Sequence, residues 1–278
     1  MTHSTTGEDA GIGPRLGAGR EAEVYAWGVD AVLKLYRPGY AGHRAEAAAL
    51  AGLTGHDIAP ELVDVVEHRG RPGLVLERVA GSDLLDQLRR RPWRMPALAR
   101  ALAQTHLAVH DAQAPAELPD VRQVLAERIE SAPLPRELQG FALRVLDGLP
   151  SGDRLCHGDY HPGNVMVDGG RVVVIDWPNA ARGVPEADHA RSLLLLRWAD
   201  ADPGTRPATR GLMAAGRGAF TRAYARAYAR GARGPLRDVE PWLVVHGAAR
   251  LSEGVGAERA RLVDRLRRAR HEAGPLGS

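Results

Sequence analysis

A single β-like island, RLCHGDYHPGNVMVDGGRVVVIDW at residues 154 to 177, interrupts a sequence that is otherwise helical in pattern from residue 81 to the C-terminus. Before residue 80 the texture is the opposite. Short β-like runs, RLGAG, EVYAWG, AVLKLY, ELVDVVEH and GLVLERV, alternate with turn residues. One helix divides them: AGHRAEAAALAGL at 41 to 53, rich in alanine and closed by Gly55. Downstream, apolar residues recur at spacings of three and four through 82 to 113, 119 to 130, 134 to 148, 187 to 198, 207 to 231 and 255 to 271. The pattern predicts an α+β chain in two lobes. Residues 1–14 read as a flexible N-terminus, 15–80 as a small antiparallel β lobe with one helix, and 81–278 as a mainly helical lobe with a polar hairpin at the junction. No internal repeat of solenoid length is present.

Composition removes several function classes. No apolar run reaches membrane-span length, and MTHSTTGEDAGIGPR lacks the apolar stretch of a signal peptide, so the expected compartment is the cytoplasm. The single cysteine, Cys156, excludes an intrachain disulfide and reads as a buried, inert thiol. A net charge of +3 is small for 278 residues, and no nucleic-acid partner is expected. The terminal AERARLVDRLRRARHEAG is basic, but Glu258 and Asp264 interrupt its basic face. It reads as a solvated helix packing Leu262 and Leu266. In FTRAYARAYAR, Phe220, Tyr224 and Tyr228 share one helix face and read as core.

The island carries most of the chemistry. His157-Gly158-Asp159 is followed by Asn164, and the strand RVVVI then delivers Asp176 and Trp177. Phosphoryl transfer asks a protein for a carboxylate that orients a hydroxyl, oxygen ligands for magnesium and a phosphate clamp. Asp159 and Asn164 have the separation of the base and the metal-binding asparagine in the kinase catalytic loop. Asp176, at a strand end, suits a second magnesium ligand, since hard cations prefer oxygen. His157 reads as a structural residue packing the loop. For His161 a contact with phosphate or substrate and a purely structural role both stay open.

Lys34 is the only lysine among 37 basic residues. It follows a turn in which Gly17 and Gly19 can bring backbone close to phosphate, with Ala22 standing where the kinase pattern has a third glycine. Strand alternation puts Leu33 and Leu35 on one face and Lys34 on the other, towards a cleft. Glu46, in the alanine-rich helix, can pair with it. A compact ammonium fits between carboxylate and phosphate oxygens where a longer planar guanidinium would change both distances.

These motifs resemble the aminoglycoside phosphotransferase and choline kinase-like family of small-molecule kinases, whose loop is HGD with an asparagine five residues after the aspartate, as in HGDYHPGN. The likeness runs from RLGAGREAEVY to EADHARSLLLL, roughly residues 15 to 198. It implies a protein-kinase-like bilobal fold, with ATP and Mg2+ as cofactors and a small-molecule hydroxyl as acceptor. It implies Asp159 as catalytic base, Asn164 and Asp176 as magnesium ligands, and Lys34 with Glu46 as the clamp. LERVAG at 76 to 81 becomes the hinge, where the backbone of Glu77 and Val79 meets adenine. Asp188 in PEADHA resembles the buried aspartate that braces the catalytic loop; an exposed carboxylate at a helix start is the alternative.

Only eight residues separate Asp176 from Pro185, too few for a peptide-docking activation segment, and Gly158 replaces the arginine of HRD loops. Both favour a small acceptor. Among acceptors, a cationic aminoglycoside asks for clustered carboxylates. Asp200, Asp202, Asp238, Glu240, Glu253, Glu258, Asp264 and Glu272 are instead scattered among arginines, so a neutral or anionic hydroxylated metabolite fits at least as well. The alternative to an enzyme is a nucleotide-binding scaffold that acts through a partner. Nothing in the sequence sets an oligomeric state.

Overall fold

The β-like runs before residue 80 form one antiparallel sheet. Its strands are β1 (Ile12–Ala18), β2 (Ala22–Trp27), β3 (Ala31–Tyr36), β4 (Leu62–His68) and β5 (Arg71–Glu77), in spatial order β1-β2-β3-β5-β4. The helix α1 (His43–Gly52) crosses between β3 and β4. The protein is described by a computed structural model covering residues 12–198, 207–254, 256 and 258–274. Of the segment expected to be a flexible N-terminus, residues 1–11 lie outside the described residues, and 12–14 already belong to β1.

Alternation along β3 sorts the lobe into two layers. Leu33 and Leu35 pack with Val75, Tyr25, Trp27 and Val66 on one face of the sheet. Lys34, set between Val24 and Leu74 in the register, points the other way, as do Tyr36, Leu74 and Leu76. That second face meets α1 and the helical lobe.

The helical lobe opens with the short strand β6 (Ser82–Asp83) and α2 (Leu84–Arg90), whose start is capped by Asp83 accepting from Asp86 N at 2.7 Å. The helix expected over 82 to 113 is in fact two. Arg91 leaves helical geometry at φ −137° because the ring of Pro92 disfavours it, and a 3-10 turn at Pro92–Arg94 leads into α3 (Met95–Asp111). Next come α4 (Val121–Ser131), capped by Asp120, and α5 (Arg136–Asp147).

The island folds as two small sheets rather than one hairpin. β7 (Arg154–Cys156) pairs with β10 (Ala181–Gly183), while β8 (Val165–Asp168) and β9 (Arg171–Val174) form a hairpin that β6 extends. Among the described residues four further α-helices close the lobe: α6 (Pro185–Trp198), α7 (Pro207–Gly231), α8 (Val239–Ala249) and α9 (Arg259–Glu272).

Helix α8 is absent from the periodic pattern of the sequence, and its burial explains why. Every residue from Trp242 to Ala249 is buried, so no polar stripe marks a face. Phe220, Tyr224 and Tyr228 of α7 are core residues, and Leu262 and Leu266 anchor α9, as their spacing predicts. Cys156 is buried without a disulfide partner. Among the described residues no helix is long and apolar enough to cross a membrane.

Candidate active site

The junction of the two lobes is a cleft of about 1230 Å³. A single small-molecule pocket spans roughly 300–1,000 Å³, so this one has room for more than one substrate.

On the sheet side, Lys34 Nζ lies 2.6 Å from Glu46 Oε2 and 2.6 Å from Asp176 Oδ1. Burial favours the neutral amine, but the two carboxylates outweigh it and raise the lysine above its ordinary value, so it remains an ammonium. Glu46 is fixed in turn by the Tyr36 hydroxyl and, at 3.3 Å, by the Trp177 backbone N–H. Lys34 therefore sits where a sheet strand, a helix and the end of the β8–β9 hairpin meet. Asp176 itself is in the left-handed region at φ 69°, unusual for a residue with a side chain.

The catalytic-loop candidates are held from behind. Asp188, at the start of α6, is buried, which decides between its two readings. Its Oδ2 accepts the His157 N–H at 2.6 Å and its Oδ1 the Gly158 N–H at 2.9 Å. The His106 and His110 rings on α3 also approach Oδ2, through Nε2 at 3.0 and 3.2 Å, and each ring's Nδ1 faces a tyrosine hydroxyl, Tyr224 at 2.7 Å and Tyr228 at 2.6 Å. The pattern assigns a proton to both Nε2 atoms and makes both Nδ1 atoms acceptors. Burial pushes His106 down to about 3, and it works to raise Asp188, whose histidine partners outweigh it and hold the carboxyl well below the usual range.

The ligand-type atoms of His106, His110 and Asp188 lie within 4.8 Å of one another. All three are already engaged in hydrogen bonds, so the cluster works as a brace. Gly158 completes it: at φ 78° its Cα lies against Asn179, and a Cβ there would come within 2.2 Å of the Asn179 carbonyl oxygen.

Asp159 follows directly. Burial would raise its carboxyl, but the His161 ring and the Arg191 guanidinium hold it down at about 2. It is thus a carboxylate at neutral pH, able to accept a hydroxyl's hydrogen. Asn164 donates its amide N–H to the Asp159 carbonyl at 3.0 Å, which leaves its side-chain oxygen as the end it can offer to a cation. Asp176 has a second carboxylate oxygen not committed to Lys34. Together they supply the hard oxygen donors that suit Mg2+.

His157 is wholly buried, bonded through Nε2 to the Ile175 carbonyl and packed on Trp177, a structural role. His161 uses Nδ1 to accept from Gly163 N, and its Nε2 lies 3.7 Å from Asp159 Oδ2, so it touches the site through Asp159.

At the hinge, Glu77 and Val79 line the cleft. The Glu77 N–H is bonded to the Glu61 carbonyl at 2.9 Å, and its side chain pairs with Arg171. Gly19 lines the cleft from the β1–β2 turn, whereas Gly17 lies within β1 opposite Val24 and is not among the lining residues. Of the sequence candidates, then, Gly19, Lys34, Glu46, Glu77, Val79, Asp159, Asn164 and Asp176 converge on one cavity, and Gly17 stands apart.

Sequence reasoning did not reach His106, His110 and His189, nor the arginines at the far end of the cleft, Arg128, Arg191 and Arg250; Glu253, which meets them there, it counted only as one of the scattered carboxylates. His106 and His110, spaced i,i+4 on an apolar face, were the available signal for the brace. The arginines had none, in a chain with arginine at nearly every basic position.

The two-lobed kinase-like fold and the residues that meet in its cleft point to the class of the phosphotransferases, as the family comparison shows. The model of the phosphotransferase enzyme family matches residues 13–239, and the chain belongs to that family. Solved structures agree on the fold. A thermostable mutant of aminoglycoside phosphotransferase APH(4)-Ia, in ternary complex with AMP-PNP and hygromycin B, is 17% identical with a TM-score of 0.65, covering 96% of this chain and 94% of that one. A choline/ethanolamine kinase family protein from Mesorhizobium loti is 19% identical with a TM-score of 0.61, over 95% and 88%. The amicoumacin kinase hAmiN, in complex with AMP-PNP, Ca2+ and Ami, is 16% identical with a TM-score of 0.61, over 96% and 90%. No curated protein sequence matches the chain.

Proposed function

We propose that the chain moves the γ-phosphoryl group of Mg-ATP to the hydroxyl of a small molecule. The observation that carries this reading is the meeting of Lys34 with Asp159, Asn164 and Asp176 in one interlobe cleft, although Lys34 is far from the other three in sequence. Lys34, steadied by Glu46, is placed to hold nucleotide phosphates as a compact cation. Asn164 and Asp176 would hold magnesium, which when bound neutralises the charge that builds on the phosphoryl oxygens. Glu77 and Val79 present hinge backbone to the adenine edge.

Asp159 orients the acceptor hydroxyl and takes up its proton. With a carboxyl near 2 it is a weak base, which suits a loose transition state in which positioning matters more than deprotonation. The cytoplasm, where ATP is the common phosphoryl donor, is the compartment this reading implies. AMP-PNP in the two kinase complexes above supports the choice of an adenine nucleotide.

The test is coupled ADP release with Mg-ATP over a panel of hydroxylated acceptors, alongside Asp159→Asn. Acceptor-dependent release should fall by about a hundredfold or more in the variant, the scale of losing a positioned acid–base group, with Mg-ATP binding retained. Normal turnover in Asp159→Asn would remove this residue from the mechanism.

A further inference from the structure

Beside Asp159 the described wall of the cleft is built from guanidinium groups. Arg191 of α6 donates through Nε to the Gly158 carbonyl at 3.2 Å, and its Nη2 lies 3.7 Å from Asp159 Oδ1 and 2.9 Å from Glu253 Oε1. Arg250 and Glu253 belong to the 3-10 turn that follows α8. Arg250 is neutralised by a two-pronged bond to Glu258, at 2.6 and 2.8 Å, and also meets Glu253 at 2.9 Å. Arg128 comes from α4, which packs against α8 and that turn. Its close partner is the neutral side-chain oxygen of Asn179 at 2.9 Å, while Glu253 stands off at 3.8 Å.

Glu258 and Glu253 lie close to Arg250 and Arg191, and among the described residues Arg128 is the one of the three guanidiniums whose nearest carboxylate stands as far off as 3.8 Å. Glu258 takes Arg250, Glu253 is nearest Arg191 and Arg250, and among the described residues the side chain of Arg128 meets an amide at 2.9 Å and a carboxylate at 3.8 Å. Burial and the neighbouring Arg191 both disfavour the charge on Arg128, the mark of a cation short of a counter-ion. Two further carboxylates act on this end: Asp159, whose task is the acceptor hydroxyl, and Glu21, which pairs with Arg20 at 3.6 Å. Glu253, the carboxylate that could attract a cationic substrate, is already within 3.8 Å of three guanidiniums.

We infer that the acceptor is an anion, a small hydroxylated molecule whose carboxylate or phosphate group is bound by Arg128 while its hydroxyl lies against Asp159. The inference rests on the phosphotransfer reading above and names the substrate class of that same site. A planar guanidinium with several N–H donors matches both kinds of oxyanion. In the reaction the acceptor oxygen bonds to the γ-phosphorus, the bond from that phosphorus to the ADP oxygen breaks, ADP departs with the electron pair, and the hydroxyl proton passes to Asp159 and on to solvent.

The test measures ADP release with Mg-ATP for matched acceptors: glycerate and glycerol 3-phosphate as the two anionic arms, glycerol and glucose as neutral controls, choline and kanamycin as cations. Turnover should be confined to an anionic arm, and which arm responds separates a carboxylate from a phosphate ester. Arg128→Gln should raise KM for that acceptor by about 10- to 100-fold, the scale of a hydrogen bond to a charged group, with kcat changed by no more than a few-fold and Arg128→Lys recovering part of the loss. A cationic or neutral acceptor used equally well overturns the inference, as does an unchanged KM in Arg128→Gln. Mg-ATP binding with no transfer in any arm also overturns it while leaving the nucleotide site standing. Failure to bind Mg-ATP overturns the phosphotransfer reading itself.

Discussion

Lowering the pH from 7 to 5 should strongly destabilise this protein through its buried histidines. Three of them are held neutral by burial: His106 pushed down to about 3, His189 to about 2 and His246 to about 3. All are at most 5% exposed. In the unfolded chain each takes up a proton near pH 6.5, so below that pH the unfolded state binds protons that the native state refuses, and stability falls as pH falls. Each histidine costs about 2 kcal/mol at pH 5 relative to pH 7, and the three together about 6 kcal/mol. Total stability of a domain is typically about 5–15 kcal/mol, so the loss is a large part of it. The depressed carboxylates work in another window. Asp188 adds stability above about pH 4 that is lost only as pH falls further, so the interval from 7 to 5 isolates the histidines. Guanidinium unfolding followed by the fluorescence of the buried Trp177 and Trp242 at pH 7, 6 and 5 measures the slope. A stability that is flat across that interval would refute the argument.

Three further perturbations follow from particular contacts. Lys34→Arg keeps the charge but cannot keep both 2.6 Å contacts, so turnover should drop at least about tenfold; equal turnover would show that the ammonium's size is irrelevant. Gly158→Ala forces a Cβ against the Asn179 carbonyl at a positive φ, which costs about 2 kcal/mol or more and lowers both Tm and activity; a calorimetric scan that matches the parent would contradict this. Cys156 is 1% exposed and its thiol is raised well above its ordinary value by burial, so a thiol reagent should label it only in denaturant. Rapid labelling of the native protein would show the loop around it opening.

Much of the site was legible because its residues fall in short, ordered motifs. Lys34 stands alone as a lysine, Glu46 sits in the helix that follows, and Asp159, Asn164 and Asp176 lie within one island. What the sequence hid depended on long-range contact. The hydrogen bond between His106 and Asp188 spans 82 positions, and no local pattern encodes it. The helix α8 was invisible for a different reason: buried on all sides, it lacks the polar face that periodicity detects. The break at Arg91 was readable in principle, since Pro92 follows it, but the strong apolar spacing on both sides suggested one continuous helix. Glu77 and Asp188 could be placed only through the family resemblance. The grouping of Arg128, Arg191 and Arg250 came from the packing of α4, α6 and the turn after α8.

The Arg171 side chain, at the start of β9, has a mechanical consequence. It reaches from the helical lobe to Asp57, to the Ala59 carbonyl at 2.7 Å and to Glu77 at the hinge, while the Val174 N–H meets the Ile58 carbonyl at 2.8 Å and the Ala80 N–H meets Asp168. These ties fasten the back edge of the cleft like the spine of a book. The β1–β2 turn lines the same cleft through Gly19, Arg20 and Glu21. Any motion of the lobes that keeps these ties has to turn about the back edge, which makes it the hinge line of the cleft.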